Sequence, residues 1–95
     1  TELYDPLTGS WTMRNNMNFA RQFHTSCTLL NGNVLVVGGY DGTAHLSSAE
    51  LYDPSTNTWT TTGSMNRARK LHTASLLTGG HVLVTGGNNG TTYLD

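Results

Sequence analysis

One cysteine and two prolines occur in 95 residues, and only 12% of positions carry charge. A single thiol, Cys27, excludes an intrachain disulfide and a thiolate zinc cluster. The net charge is −1 with no acidic or basic run, so bulk electrostatics argue against nucleic acid and anionic membrane as partners. No apolar run approaches a membrane span, and the first residues lack the basic-then-apolar pattern of a signal peptide. The chain starts at Thr1 rather than Met, which fits a processed or excised piece and leaves its compartment open. Helix formers such as Ala, Glu and Lys are also scarce. Thr, Ser, Asn and 11 Gly fill much of the chain beside short apolar runs, which is material for strands and turns.

The apolar runs are repeated. Asn33 to Thr43, NVLVVGGYDGT, returns as His81 to Thr91, HVLVTGGNNGT, at an offset of 48 residues. The same offset matches Glu2-Leu3-Tyr4-Asp5-Pro6 with Glu50-Leu51-Tyr52-Asp53-Pro54, Trp11 with Trp59, Arg21 with Arg69, and His24 with His72. About half of the overlapping positions are identical, so the chain holds two copies of one supersecondary unit.

Within a copy, four strands are predicted between turn signals. His24 to Leu30 is the first, closed by Asn31-Gly32 as a two-residue hairpin signal. Asn33 to Gly38 is the second; its unbroken apolar run suits a strand covered on both faces. The glycine pairs Gly38-Gly39 and Gly86-Gly87 then end their strands where backbones must approach closely. Ser48 to Tyr52 is the third strand, turned by Asp53-Pro54, and Thr58 to Thr62, carrying Trp59, is the fourth. Four successive antiparallel strands form a meander, the blade of a β-propeller, and the predicted fold class is therefore all-β.

The glycine pair after an apolar strand, the Glu-x-Tyr-Asp segment, the Trp beyond it and the Met-x-x-x-Arg-x-x-His run together resemble the kelch repeat. The resemblance spans both copies and implies a propeller that binds or scaffolds rather than an enzyme. Some kelch propellers are copper-radical oxidases, whose site needs Tyr, His and a modified Cys from unlike blades. The near-identity of the copies here gives no such asymmetry, and neither catalysis nor a cofactor is expected.

The blade frame does not coincide with the chain. Residues 1–22 read as the outer half of one blade, residues 23–64 as a complete blade, and residues 65–95 as the inner half of a further one. Two-stranded ribbons are marginal alone and leave a free edge. Propellers close with roughly four to eight blades, so the expectation is a head-to-tail ring in which chains complete one another's half-blades. Three chains and six blades are favoured over a dimer or a tetramer. An excised or designed fragment without a ligand is the alternative.

Residues that recur are assigned to packing. His24 and His72 are read as structural histidines bonded across blades, since neither has a second ligand at metal spacing in its copy. Arg21 and Arg69 recur with Glu2 and Glu50, which predicts a repeated charged pair between blades. Trp11 and Trp59 read as wedges between blades, and Cys27 as a small buried filler. Positions that break the repeat are the better candidates for binding a protein or glycan, because loops on a rigid scaffold carry specificity. Tyr40 and Asp41 face Asn88 and Asn89 in the alignment, and His45 faces Tyr93; these six residues are the predicted binding rim.

Overall fold

Val34 to Val37 lies inside a four-stranded antiparallel sheet, with a strand on each side of it. The computed structural model describes residues 1–95 and contains eight strands. These are β1 (Glu2–Asp5), β2 (Ser10–Met13), β3 (Thr25–Thr28), β4 (Val34–Val37), β5 (Ala49–Asp53), β6 (Thr58–Thr61), β7 (Thr73–Leu76) and β8 (Val82–Thr85). They form a two-stranded sheet β1-β2, a four-stranded meander β3-β4-β5-β6 and a two-stranded sheet β7-β8.

The register of the central sheet follows from its side chains. Val36 stands opposite Glu50, Val37 opposite Ala49, and Val34 opposite Tyr52. Val36, Val37, Ala49 and Tyr52 are the buried hydrophobic core. Tyr52 in turn stands opposite Trp59, their ring centroids 4.9 Å apart. Edge strand β3 alternates half-buried Thr25 and Cys27 with exposed Ser26 and Thr28. Cys27 is thus half-buried rather than the buried filler expected, because no strand of its own sheet covers the outer edge of β3.

Turn chemistry sets the connections. Asp53 Oδ1 accepts from the Ser55 amide and hydroxyl, and Asp5 Oδ1 accepts from the Leu7 amide, so the same Asp-Pro turn closes both outer hairpins. The β3-β4 hairpin differs from the two-residue turn predicted at Asn31-Gly32. The Leu29 amide bonds Asn33 O and the Gly32 amide bonds Leu29 O, which makes a three-residue loop ending in Gly32 at φ 87°. A turn followed by one left-handed residue is the next-commonest way to join twisted strands, and glycine adopts that conformation without steric cost.

Successive sheets are joined near their first strands. The Leu71 amide donates to Phe23 O at 3.0 Å, and the Gly39 amide donates to Arg69 O at 2.8 Å. Phe23 and Leu71, at matched repeat positions, both hold φ near +56°, an unusual conformation for a bulky side chain. The first sheet is tied to the second through the segment after β2. Arg14 donates from Nε to Tyr52 Oη and from Nη2 to Pro54 O, Asn15 exchanges bonds with Asn57, and Trp59 Nε1 donates to Asn15 O at 2.9 Å.

Candidate functional site

Three features position side chains with chemistry: a buried ion pair, a histidine at the joint between sheets, and a rim of loops.

The ion pair is Arg21 with Glu50, 2.7 Å apart, both side chains with no exposed surface. Glu50 also accepts from the Asn18 amide at 2.6 Å and the Phe19 amide at 3.2 Å. Arg21 further donates to Gly38 O and Ser48 O. A carboxylate surrounded by one guanidinium and two backbone donors has its charge compensated on every side, which is what a buried ion requires. By the division read from the sequence, the pair joins the segment 1–22, which holds Arg21, to the complete blade, which holds Glu50 on β5. It forms once in the chain and is not repeated. Arg69 donates to Gly86 O and Asp95 O but meets no carboxylate in the chain, and Glu2 is exposed.

At the joint, His72 Nε2 lies 2.8 Å from Thr25 Oγ1, across from one sheet to the next, and His72 is 5% exposed. Burial is the main cause that lowers the His72 pKa from the ordinary 6.5, with the Arg69 and His24 charges adding to it. The pKa of the more exposed His24 is also lowered, by burial first and then by Arg21. A lowered imidazole pKa means that the unfolded chain takes up protons before the folded one does. The contribution of both histidines to stability is thus fully present above about 6.5 and is lost as pH falls through 6.5 toward the lowered folded-state values. Melting temperature measured against pH should drop over that range, and His72→Asn should flatten the drop. An equal drop in the variant would remove His72 as its source.

The rim is built from two loops. Tyr40 bridges Gln22 and His45, with the Tyr40 and His45 rings 4.9 Å apart. Asn88, at the matching position, bridges Lys70 and Tyr93. Asp41 Oδ1 accepts from the Thr43 and Ala44 amides, and these bonds lower its pKa; Asn89 Oδ1 accepts from the Thr91 and Thr92 amides. Asp41 and Asn89 therefore shape their own loops. The loops touch, since a Cβ at Gly90 would lie 2.6 Å from His45 Cε1. Tyr93 is 90% exposed. A shallow depression lies along Asn88 and Gly90 to Tyr93, and a second is lined by Ala20, Arg21, Gln22, Tyr40, Asp41 and Gly42.

Sequence reasoning did not single out Lys70. Its Nζ lies 4.8 Å from the centre of the Tyr40 ring and 5.6 Å from that of Phe23, a cation held over two aromatic faces. The signal was present, because Lys70 aligns with Gln22 and so breaks the repeat. The aromatic wedges are used unequally. Trp59 is half-buried against Tyr52, whereas Trp11, 5.1 Å from Tyr4, is 65% exposed.

A four-stranded antiparallel meander, tied beside its first strand to the first strand of the next sheet, defines a blade of the β-propeller type. Residues 23–66 match the family model described as the Kelch motif. The complete blade is a kelch repeat, and the chain carries it between two half-sheets of matching sequence.

Proposed function

We propose that this chain is a non-catalytic kelch propeller module that assembles head to tail into a closed ring and presents its loop rim to a protein or glycan partner. The kelch motif supports the coarser part, a repeat module of a kind that generally binds proteins. The ring rests on one observation: on β4 and β5 of the complete blade, residues are more buried than their identical matches in the half-blades. Tyr52 is 5% exposed and its match Tyr4 48%; Val36 is buried and Val84 half-buried; Glu50 is fully buried and Glu2 exposed. A residue type chosen for burial and left in water at its second occurrence marks a surface built for cover. The outer hairpin β1-β2 and the inner hairpin β7-β8 are complementary halves of one blade, and in the proposed ring a second copy supplies that cover. Head-to-tail contacts of this kind close only for whole numbers of chains. Three chains give six blades. The rim bears aromatic rings, amides and one cation, a surface suited to a polar peptide or sugar.

Native mass spectrometry of the purified chain should give three times the 10.3 kDa chain mass. A stable monomer across the concentration range would overturn the assembly, and a dimer or tetramer would change the ring size.

A further inference from the structure

The loop after β8 carries a chemical motif that packing does not account for. Asn89-Gly90-Thr91 is the one place in the chain where an Asn stands two residues before a Ser or Thr, the acceptor pattern for an N-linked glycan. Its conformation is fixed. Asn89 Oδ1 accepts from the Thr91 amide at 3.1 Å, the Thr91 hydroxyl at 3.0 Å and the Thr92 amide at 2.8 Å. All three partners are donors, so the oxygen of the side-chain amide faces the turn and its nitrogen faces away. Asn89 Nδ2 makes no hydrogen bond within the chain and is not buried, and Gly90, Thr91 and Thr92 are exposed.

That openness belongs to the loop itself. The matching segment, Asp41 to Ala44, lies in a loop with the next sheet packed beside it, and all four of its residues are still exposed. Asp41 makes the same turn by accepting from the Thr43 and Ala44 amides, but a carboxylate has no nitrogen to modify. The two loops share a turn and differ in the one atom that an N-linked glycan needs.

We propose that Asn89 Nδ2 is an acceptor for an N-linked oligosaccharide. In the transfer, Nδ2 forms a bond to the anomeric carbon of the first sugar, and the bond from that carbon to the pyrophosphate of a lipid-linked oligosaccharide donor breaks. The pyrophosphate leaves with the electron pair, and the amide nitrogen gives up one proton to a base of the transferase. The glycan stands beside the shallow depression along Asn88 and Gly90 to Tyr93 and leaves the one lined by Gln22, Tyr40 and Asp41 to a separate partner. The modification needs a single chain and holds with or without the ring.

Translation of the chain behind a cleavable signal peptide, with endoplasmic-reticulum microsomes present, tests it by mass spectrometry; cleavage of the signal reports entry into the lumen. The chain that has entered should gain the mass of one oligosaccharide on Asn89, removable by an endoglycosidase. Asn89→Asp, which copies the Asp41 loop and so keeps the turn, should gain none, and neither should Thr91→Val. Asp41→Asn should gain a second. If the unmodified chain enters and stays unglycosylated, whether or not Asp41→Asn gains a glycan, the Asn89 loop is closed to the transferase and the proposal fails. A glycan that persists in Asn89→Asp would overturn it equally.

Discussion

Glu50→Gln is expected to cost about 3–5 kcal/mol, the range for removing one partner of a buried ion pair. Both side chains are without exposed surface, so solvent does not screen the loss. The amide that replaces one carboxylate oxygen brings donors toward a site already lined by Arg21 Nη2 and the Asn18 and Phe19 amides. One of those donors then stays unpaired, and the Arg21 charge stays buried without compensation. Denaturant unfolding at fixed protein concentration should show the midpoint falling, with circular dichroism reporting the loss of strand signal. The paired replacement Arg21→Met with Glu50→Leu should recover much of the loss, because an apolar pair removes the uncompensated charge together with its partner. An unchanged midpoint in Glu50→Gln would mean that the pair contributes nothing to stability.

Gly38→Ala is the second large effect. A Cβ there would lie 2.6 Å from Arg69 O and 2.8 Å from His72 Cε1, both belonging to the segment that leads into β7. The backbone at Gly38 has φ +66°, so a side chain adds left-handed strain of roughly 1–2 kcal/mol to an overpacking cost of roughly 1–3 kcal/mol. Both act on the joint between sheets, and the substitution should loosen β7-β8 from the complete blade as well as lower the melting temperature. Gly86 is its match, also left-handed at φ +75°, yet a Cβ there would meet nothing within 4 Å. Gly86→Ala in a separate chain should therefore cost only the backbone strain. In the proposed ring Gly86 takes the setting of Gly38, and the two substitutions become equally harmful. Comparing them with melting curves above and below the assembly concentration separates these cases. A Gly38→Ala protein as stable as the unmodified chain would refute the close approach at the joint.

The two glycines of the pair have different tasks, which their adjacency conceals. Gly38 makes room for the next sheet at Arg69 O, while Gly39 makes room for its own blade, where a Cβ would lie 2.6 Å from Gln22 O. Sequence reading recognises that close approach is needed at Gly38-Gly39 but not which backbone arrives. The same holds for the rim. Tyr40, Asp41, Asn88 and Asn89 stand out as breaks in the repeat, and their loops do come together. That Asp41 and Asn89 direct their acceptors into their own turns follows from local geometry that Asx residues commonly adopt. That Lys70 reaches over Tyr40 depends on the packing of one sheet beside another and has no counterpart in spacing along the chain.

The order of the strands, the Asp-Pro turns and the repeat were determined by the sequence alone, because alternation, glycine pairs and Asp-Pro turns act over a few residues; the length of the β3-β4 turn was not. The kelch character of the complete blade follows from the same local features. Only the tertiary structure decided that Arg21 closes on Glu50, that His72 answers Thr25 in the neighbouring sheet, and that identical tyrosines at positions 4 and 52 differ in burial. The physical reason is that burial and ion pairing belong to the neighbours of a residue and not to the residue. Two copies of one sequence acquire different surroundings when one is flanked on both sides and the other on one.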